Sequence, residues 1–474
     1  VDVADFTPDA VRDRLLTSLR RETKQLQIND DYFEGQQPLK FIAPVLQQQL
    51  GTRLAEMVVN VPRSGVEAYE NRLDIEGFRF DGEDSSDDEL WNVWQHNEGD
   101  LLSQQAHRES LALSRAYSIV GESDDAEMPL ITIESPFEAI HEDDPRTHEV
   151  KYGLKKWQDE DRTRWIDLFH PNGRVTWYKK AKDSAWTEDT RENNSFNLCR
   201  MVPLINDPRI IGRARPGKSD QRLGRSVFHD IIPLVDGLNK TLTDMMVSGE
   251  FHAMPRRWAT GLNEDDFVDE KTGQALDTFE LVAGRMWGVS DKDVKFGQFA
   301  EADLSNFHNT AKLLMQIAAQ ILALPPHYLA FTGENPASAD AIRSSEAQLV
   351  KRAERKQAVY STRWERVQRL VLLTQGKPDD IRAKRIETLW RDPSTPTIAQ
   401  KADAIVKLVS AKDGSNRSIL TVDQAREDLG YTKTQRDRMD GVQAADQDAA
   451  LNAAVQAAAE AERAALEPTN GITA

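Results

Sequence analysis

"PPHYLAFTGENPASADAIRSSEAQLVKRAERKQ", residues 325–357, holds the transition that decides how this chain is organised. Pro325 and Pro326 lack amide protons, and their rings clash with a preceding helical turn. The helical pattern "EADLSNFHNTAKLLMQIAAQILAL" (301–324) is therefore expected to stop at them. A short loop follows, with an aromatic tip and a Gly-Glu-Asn-Pro turn. Ser338 is placed to cap a second helix, which meets no Gly or Pro before about Thr374. At 1.5 Å per residue that helix is roughly 55 Å long, too long for the middle of a compact small domain. It carries eight Lys/Arg against four Asp/Glu, so it is basic in a chain of net charge -18. The loop between the helices contains no catalytic pairing.

Working backwards, residues 225–254 read as another helix, with Phe228, Ile231, Ile232, Val235, Leu238, Leu242 and Met245 along one side. Pro233 marks a kink or a new first turn. Between the two helices, 255–300 is mixed and glycine-containing, and "TFELVAGRMWGV" (278–289) reads as a short hairpin. Residues 128–206 alternate with period two, as strands of a twisted antiparallel sheet do. "HPNG" (170–173) is a hairpin turn, because Asn-Gly supplies the positive φ that tight hairpins need. "HEDDPRTHE" (141–149) reads as a longer polar turn.

Nearer the start, residues 8–30 read as a helix, and the turn-rich "NDDYFEGQQPLKFI" follows. A second helix over 43–61 is expected to close at Pro62. Short strands follow around Ile75, Phe78 and Phe80. Asp87 and Asp88 open two amphipathic helices split near Gly99. Six tryptophans (Trp91, Trp94, Trp157, Trp165, Trp177 and Trp364) occupy core-like positions. Beyond 376, short capped helices lead to an alanine-rich tail over 444–465.

The chain has 474 residues, 39% hydrophobic and 29% charged, enough for two to four domains. No window reaches the ~18 consecutive apolar residues of a membrane span. The N-terminus lacks the basic and apolar regions of a signal peptide. Cys199 is the only cysteine, so no internal disulfide or cysteine-built zinc site is available. A net charge of -18 argues against wrapping nucleic acid, although an acidic wall suits a surface that DNA must slide past without sticking.

"GRARPGKS", Gly212 to Ser219, satisfies the phosphate-binding pattern G-x-x-x-x-G-K-[ST]. That chemistry needs a strand to deliver the loop and a helix to begin at the lysine. Here Pro208 precedes it and Gly224 soon follows, so a flexible basic loop is the plainer reading. No histidine pair has i, i+4 spacing, and the acidic runs at 81–89 and 141–144 lack calcium-loop spacing. No metal, cofactor or catalytic residue is expected, and the chain is read as a non-enzyme.

Four stretches, taken together and in this order, resemble the portal proteins of tailed bacteriophages, in particular the actinophage branch of the large portal family. They are "DDYFEGQQPLKF", "LWNVWQHNEGDLLSQQAHRESLALSRAYSIVG", "GRSVFHDIIPLVDGLNKTLTDMMVSGEFHAMPRRWATG" and "ALPPHYLAFTGENPASADAIRSSEAQLVKRAERKQ". The resemblance spans about residues 30–375. It implies an α+β portal fold with a β-rich wing, two stem helices, a small α/β clip, a long wing helix and a helical crown. Laid on this chain, 1–224 is the N-terminal region and wing, 225–252 the first stem helix and 253–301 the clip. The second stem helix is 302–324, the tunnel loop 325–337, the long helix with its return 338–394, and the crown and tail 395–474.

By the same resemblance, twelve copies form a ring at one capsid vertex. The ring is a channel for double-stranded DNA packaging, retention and ejection. The tunnel loop would turn His327, Tyr328, Phe331, Thr332 and Asn335 toward the axis, with Arg343 close by. The clip would offer Arg256, Arg257, Trp258, Arg285 and Trp287 to partners. Expected partners are the terminase large subunit, a head-tail adaptor and the major capsid protein, in a virion assembled in the host cytoplasm. The alternatives are another virion structural or scaffold subunit without a DNA channel, and a P-loop nucleotide enzyme.

Overall fold

The computed structural model describes residues 7–38, 40, 58–83, 86–194, 197–210, 220–253, 257–260, 295–298, 304–329, 339–377, 385–394, 398–414 and 416–431, with short pieces between 435 and 457. The first helix, α1, runs Pro8–Glu34 with a proline in its first turn. It continues through "NDDYFE", which the sequence reading gave to a turn. The reason is its apolar stripe: Leu26, Tyr32 and Phe33 still have a core to meet. Gly35, in the left-handed region at φ 72°, ends it.

The next helix, α2 (Val61–Glu70), corrects an expectation. Pro62 lies in its first turn instead of closing an earlier helix. A first-turn proline costs no hydrogen bond, because that amide has no intrahelical partner. The Asn60 side chain accepts the Arg63 amide at 3.0 Å and caps the helix. The span expected as a helix before Pro62 falls largely outside the described residues. Strand β1 (Ile75–Phe80) then pairs antiparallel with a strand from far along the chain, β12 (Ile386–Trp390). Helices α3 (Asp88–His96) and α4 (Gly99–Leu113) split where expected, and Asp87 caps the first through the Glu89 and Leu90 amides.

Residues 115–205 build two antiparallel sheets, where one was expected. In the first, β2 (Arg115–Gly121) lies between β3 (Leu130–Glu134) and β9 (Met201–Ile205). The second is a five-stranded meander of β4 (Ala139–Asp143), β5 (Val150–Gln158), β6 (Arg164–His170), β7 (Gly173–Lys179) and β8 (Thr187–Asn193). Residue patterning alone did not mark strands β2, β4 and β8, for three different reasons. In β2 every residue but the last is buried, so no alternation shows. In β4 the polar His141–Asp143, read as a turn, sits in register with Val150–Gly153. In β8 every residue is exposed, so there is no apolar face to detect. The sheets approach so closely that a Cβ on Gly153 would lie 2.7 Å from the Met201 sulfur. One face of the meander packs on α1 through Ile140, Leu154, Ile166, Val175 and Trp177.

From Gly224 the chain leaves the sheets. Its φ of 87° and the nearby carbonyls of Asn206 and Ser114 leave no space for a side chain. After a short 3-10 turn, α5 (Ile232–Ala253) runs outward, with Pro233 in its first turn. A small ribbon of β10 (Arg257–Thr260) and β11 (Lys295–Gln298) lies beyond it. The hairpin expected at 278–289 is outside the described residues. Helix α6 (Ser305–Leu322) returns antiparallel along α5: Gly237 meets Leu314, while Gly249 meets Leu304. It stops at Leu322, with Ala323 in the left-handed region at φ 55°. The stop therefore precedes Pro325 and Pro326, and the prolines lie beyond it.

The long helix, α7, spans Ala339–Thr374. Its proposed cap, Ser338, is outside the described residues. The expectation that it is too long for a domain interior is overturned. Leu349, Ala353, Tyr360, Trp364, Val367, Leu370 and Val371 are at most 1% exposed. The helix fits because α4, β2, β9 and β12 all pack along it. Trp364 meets Trp94 edge-on at 5.1 Å and donates its indole N–H to His107 Nε2 at 2.9 Å. Trp94, Trp177 and Trp364 are fully buried as expected, whereas Trp91, Trp157 and Trp165 are only partly so. Two short helices follow, α8 (Ile398–Ser410) and α9 (Val422–Asp428). The architecture is α+β, with small sheets set beside long helices.

Candidate functional site

The segment that opened the sequence reading is held at its base by named contacts. Residues 326–329 form one 3-10 turn, in which the Tyr328 amide donates to the Pro325 carbonyl at 3.0 Å. The Tyr328 hydroxyl accepts from Arg72 Nη2 at 3.0 Å, and the guanidinium lies 6.0 Å from the Tyr328 ring centroid. Arg72 is buried just after α2, where its Nη1 also donates to the Ala68 carbonyl. Glu346, on the first part of α7, lies 3.7 Å from Arg72 and 3.5 Å from His327 Nε2. One carboxylate thus gathers both flanks of 330–338, a stretch that is outside the described residues.

The same helix holds the end of α6. Tyr69 donates its hydroxyl to the Leu322 carbonyl at 2.6 Å, and Arg352 Nη1 donates to the Ile321 carbonyl at 2.7 Å. Both satisfy carbonyls that a helix end leaves without internal partners, and the cation also suits the negative end of the helix dipole. Burial is the main cause raising the Tyr69 pKa, opposed by Arg352. One turn further along α7, Lys356 donates to Asn206 Oδ1 at 2.5 Å, and its ammonium sits 5.1 Å from the Tyr69 ring centroid. Asn206 in turn donates to the Arg225 carbonyl at 2.6 Å, at the start of the chain's path into α5. Burial of the ammonium lowers the Lys356 pKa to about 8. Both ends of the α5–α6 hairpin are therefore tied to neighbouring turns of α7.

Chemically this arrangement holds chain segments in place. Its cations face carbonyls, an amide oxygen and one carboxylate. No nucleophile stands beside a base. Among the described residues no group of His, Cys, Asp and Glu could hold a metal ion. No described helix is long and apolar enough to cross a membrane.

Of the residues singled out by sequence, His327 and Tyr328 come together at this base. Arg343 lies one turn before Glu346 on α7 and is half-buried. Phe331, Thr332 and Asn335 are outside the described residues. Arg257 and Trp258 lie on β10, paired with Gln298 and Gly297; Arg256, Arg285 and Trp287 are outside. The stretch Gly212–Ser219 is outside too. The structure resumes at Asp220 with a three-residue 3-10 turn, and the first α-helix after it begins only at Ile232. Sequence reasoning missed Arg72, Tyr69, Glu346, Arg352 and Lys356. The i, i+4 spacing of Arg352 and Lys356 puts them on one helix face and could have flagged that pair. Nothing local marks Arg72.

The family described as "Phage portal protein, SPP1 Gp6-like" matches residues 12–440. The chain belongs to that family, which is one of phage structural proteins. The portal protein of Mycobacterium phage D29 is 31% identical over 454 residues, covering 92% of this chain and 88% of that one. The portal protein of Mycobacterium phage L5 is 30% identical over 448 residues, covering 91% and 87%. A solved structure, the neck of an empty GTA particle computed with C6 symmetry, aligns with 83% of this chain and 95% of that one, at 12% identity and a TM-score of 0.43. That likeness is too distant to support any further statement.

Proposed function

We propose that the chain is the repeating subunit of a portal ring, twelve copies around one capsid vertex, through which double-stranded DNA is packaged, retained and ejected. The family match over residues 12–440 carries this reading. The α5–α6 hairpin hanging from the sheets is consistent with stem helices, and the β10–β11 ribbon beyond it is consistent with a clip. On this reading Arg257 and Trp258, with Arg256, Arg285 and Trp287, meet the terminase large subunit and later the head-tail adaptor. The sheet-bearing body meets the major capsid protein. Assembly takes place in the host cytoplasm.

The tunnel loop then divides into two parts. His327 and Tyr328 belong to an anchored base, clasped by Arg72 and Glu346. Phe331, Thr332 and Asn335 are the part offered to the duplex, with Arg343 nearby. Aromatic and small polar groups touch DNA without gripping phosphate. The net charge of -18 keeps the polyanion from adhering while a motor drives it. ATP hydrolysis belongs to the terminase on this reading.

Imaging of the purified chain at high concentration tests the ring. Closed rings with a central hole are expected. Particles that assemble without a hole would refute the channel.

A further inference from the structure

Away from the loop and hairpin, a cleft of about 450 Å³ opens between the two sheets, at the end where β2 finishes and β9 begins. Four ion pairs line it: Glu122–Arg200 at 2.7 Å, Glu134–Lys155 at 2.7 Å, Glu192–Arg174 at 2.5 Å and a looser Asp167–Arg174 at 3.8 Å. The cations lie deeper than two of their partners. The Arg200 side chain is 13% exposed against 71% for Glu122, and that of Arg174 is 37% against 45% for Glu192. Asp124 adds an exposed carboxylate at the rim, while Asp167 is buried at the floor, where desolvation raises its pKa. Five carboxylates thus face three cations, and the mouth is acidic. Leu130, 48% exposed, provides an apolar lip.

At the opposite end of the same sheet the chain leaves into a sequence of complementary charge. After β9 the sequence "PRIIGRARPGKS" (208–219) holds Arg209, Arg213, Arg215 and Lys218 and no acidic residue. Its two flanks are clasped together: the Arg209 amide donates to the Gln221 carbonyl at 3.2 Å, and Arg209 Nη1 donates to the Gln221 side chain at 3.2 Å. Ile210, wholly exposed, stands at the exit. The stretch is too short to reach back to its own cleft. From Arg200 to Asn206 the strand covers about 20 Å, and nine residues going out and returning reach at most ~15 Å.

We infer that the basic segment 211–219 of one subunit docks in the acidic cleft of the next subunit around the ring. A heterologous contact needs two different patches; the cleft lies at one end of this sheet, and Arg209 and Gln221, the flanks of the basic segment, lie past the other. Charge also requires something of the kind. Identical subunits of net charge -18 repel one another, and a contact of opposite signs offsets that repulsion and fixes which faces meet. Incoming guanidinium groups meet Asp124 at the rim, and Glu122 and Glu192, whose own cations sit deeper in the cleft. Ile210 and Ile211 arrive beside Leu130. This account gives the stretch that matches the phosphate-binding pattern a role without nucleotide. It rests on the ring reading above.

Charge exchange in the full-length chain tests it. Arg213→Glu with Arg215→Glu and Lys218→Glu, or Glu122→Lys with Asp124→Lys and Glu192→Lys, should each raise the concentration needed for rings on the order of 100-fold. Both sets in one chain should restore rings. Rings unaffected by either set, or no restoration in a combined variant that melts like the parent, would overturn the inference. Independently, Asp124→Cys with Lys218→Cys should give a ladder of covalent multimers on mild oxidation, because Cys199 is buried and inert. Only monomers on that gel, from preparations that form rings, would also overturn it. If the unaltered chain never forms rings, the ring reading itself fails, a result distinct from rings that ignore the substitutions.

Discussion

Between Ala341 and Gln348, α7 leaves six of eight residues exposed; between Trp364 and Leu373 it leaves none exposed. The later half is an ordinary core helix, with Tyr360, Trp364, Val367 and Val371 at helical spacing against β2, β9 and β12. The earlier half buries Leu349 and Ala353 but leaves most of its other residues exposed. Its Glu346 reaches Arg72 and His327, and its Arg352 reaches the end of α6. One half sets the fold. The other is the support on which a loop and a helical hairpin are hung.

That contrast can be broken first at its most buried point. Trp364→Ala removes a fully buried indole and leaves His107 Nε2 without its donor. It should lower stability by about 3–5 kcal/mol in urea unfolding. A loss under 1 kcal/mol would mean that the later half is not the core.

The second test is acid. His107 is enclosed, and burial lowers its pKa to about 3. An unfolded histidine titrates near 6.5, so below that pH the unfolded state takes up a proton that the native state refuses. Stability from this group is complete above about pH 6.5. It should fall by about 1.4 kcal/mol per pH unit as pH drops toward 3. His107→Gln, which keeps an acceptor for Trp364, should flatten that slope when unfolding is followed across pH. An unchanged slope would place the acid sensitivity elsewhere.

The smallest effect belongs to the earlier half. Arg352→Ala removes an exposed side chain that contributes one helix-end contact, so it should cost about 0.5 kcal/mol or less in the same unfolding experiment. Amide exchange should nevertheless quicken at the end of α6. A loss comparable to that of Trp364→Ala would erase the distinction between the halves.

What the sequence made legible follows the same division. Long amphipathic segments announced themselves: α1, α3, α4, α5, α6 and α7 all rise from apolar spacing with caps or breakers nearby. Pro62 misled because a proline suits a first turn as well as a stop. The strands β2 and β8 were illegible because one is buried throughout and the other exposed throughout. The loop's aromatic and polar residues stood out by their setting, between two prolines and a serine read as a cap. Its anchors did not, because Arg72 reaches Tyr328 across 256 residues of sequence. The interior place of α7 was missed for a related reason. Its length argued against an interior place, but strands β2, β9 and β12, distant in sequence, pack along it, and Lys356 and Arg352 turn toward an amide oxygen and a carbonyl at the hairpin ends.

The measurement closest to the central claim is the DNA content of particles assembled with residues 328–335 deleted. The clasp residues Arg72 and Glu346 and both helices remain in that variant. Rings should still form and enter heads, while packaged DNA falls sharply or leaks after filling. Heads filled with DNA to the normal level, and retaining it, would contradict a loop that lines the channel.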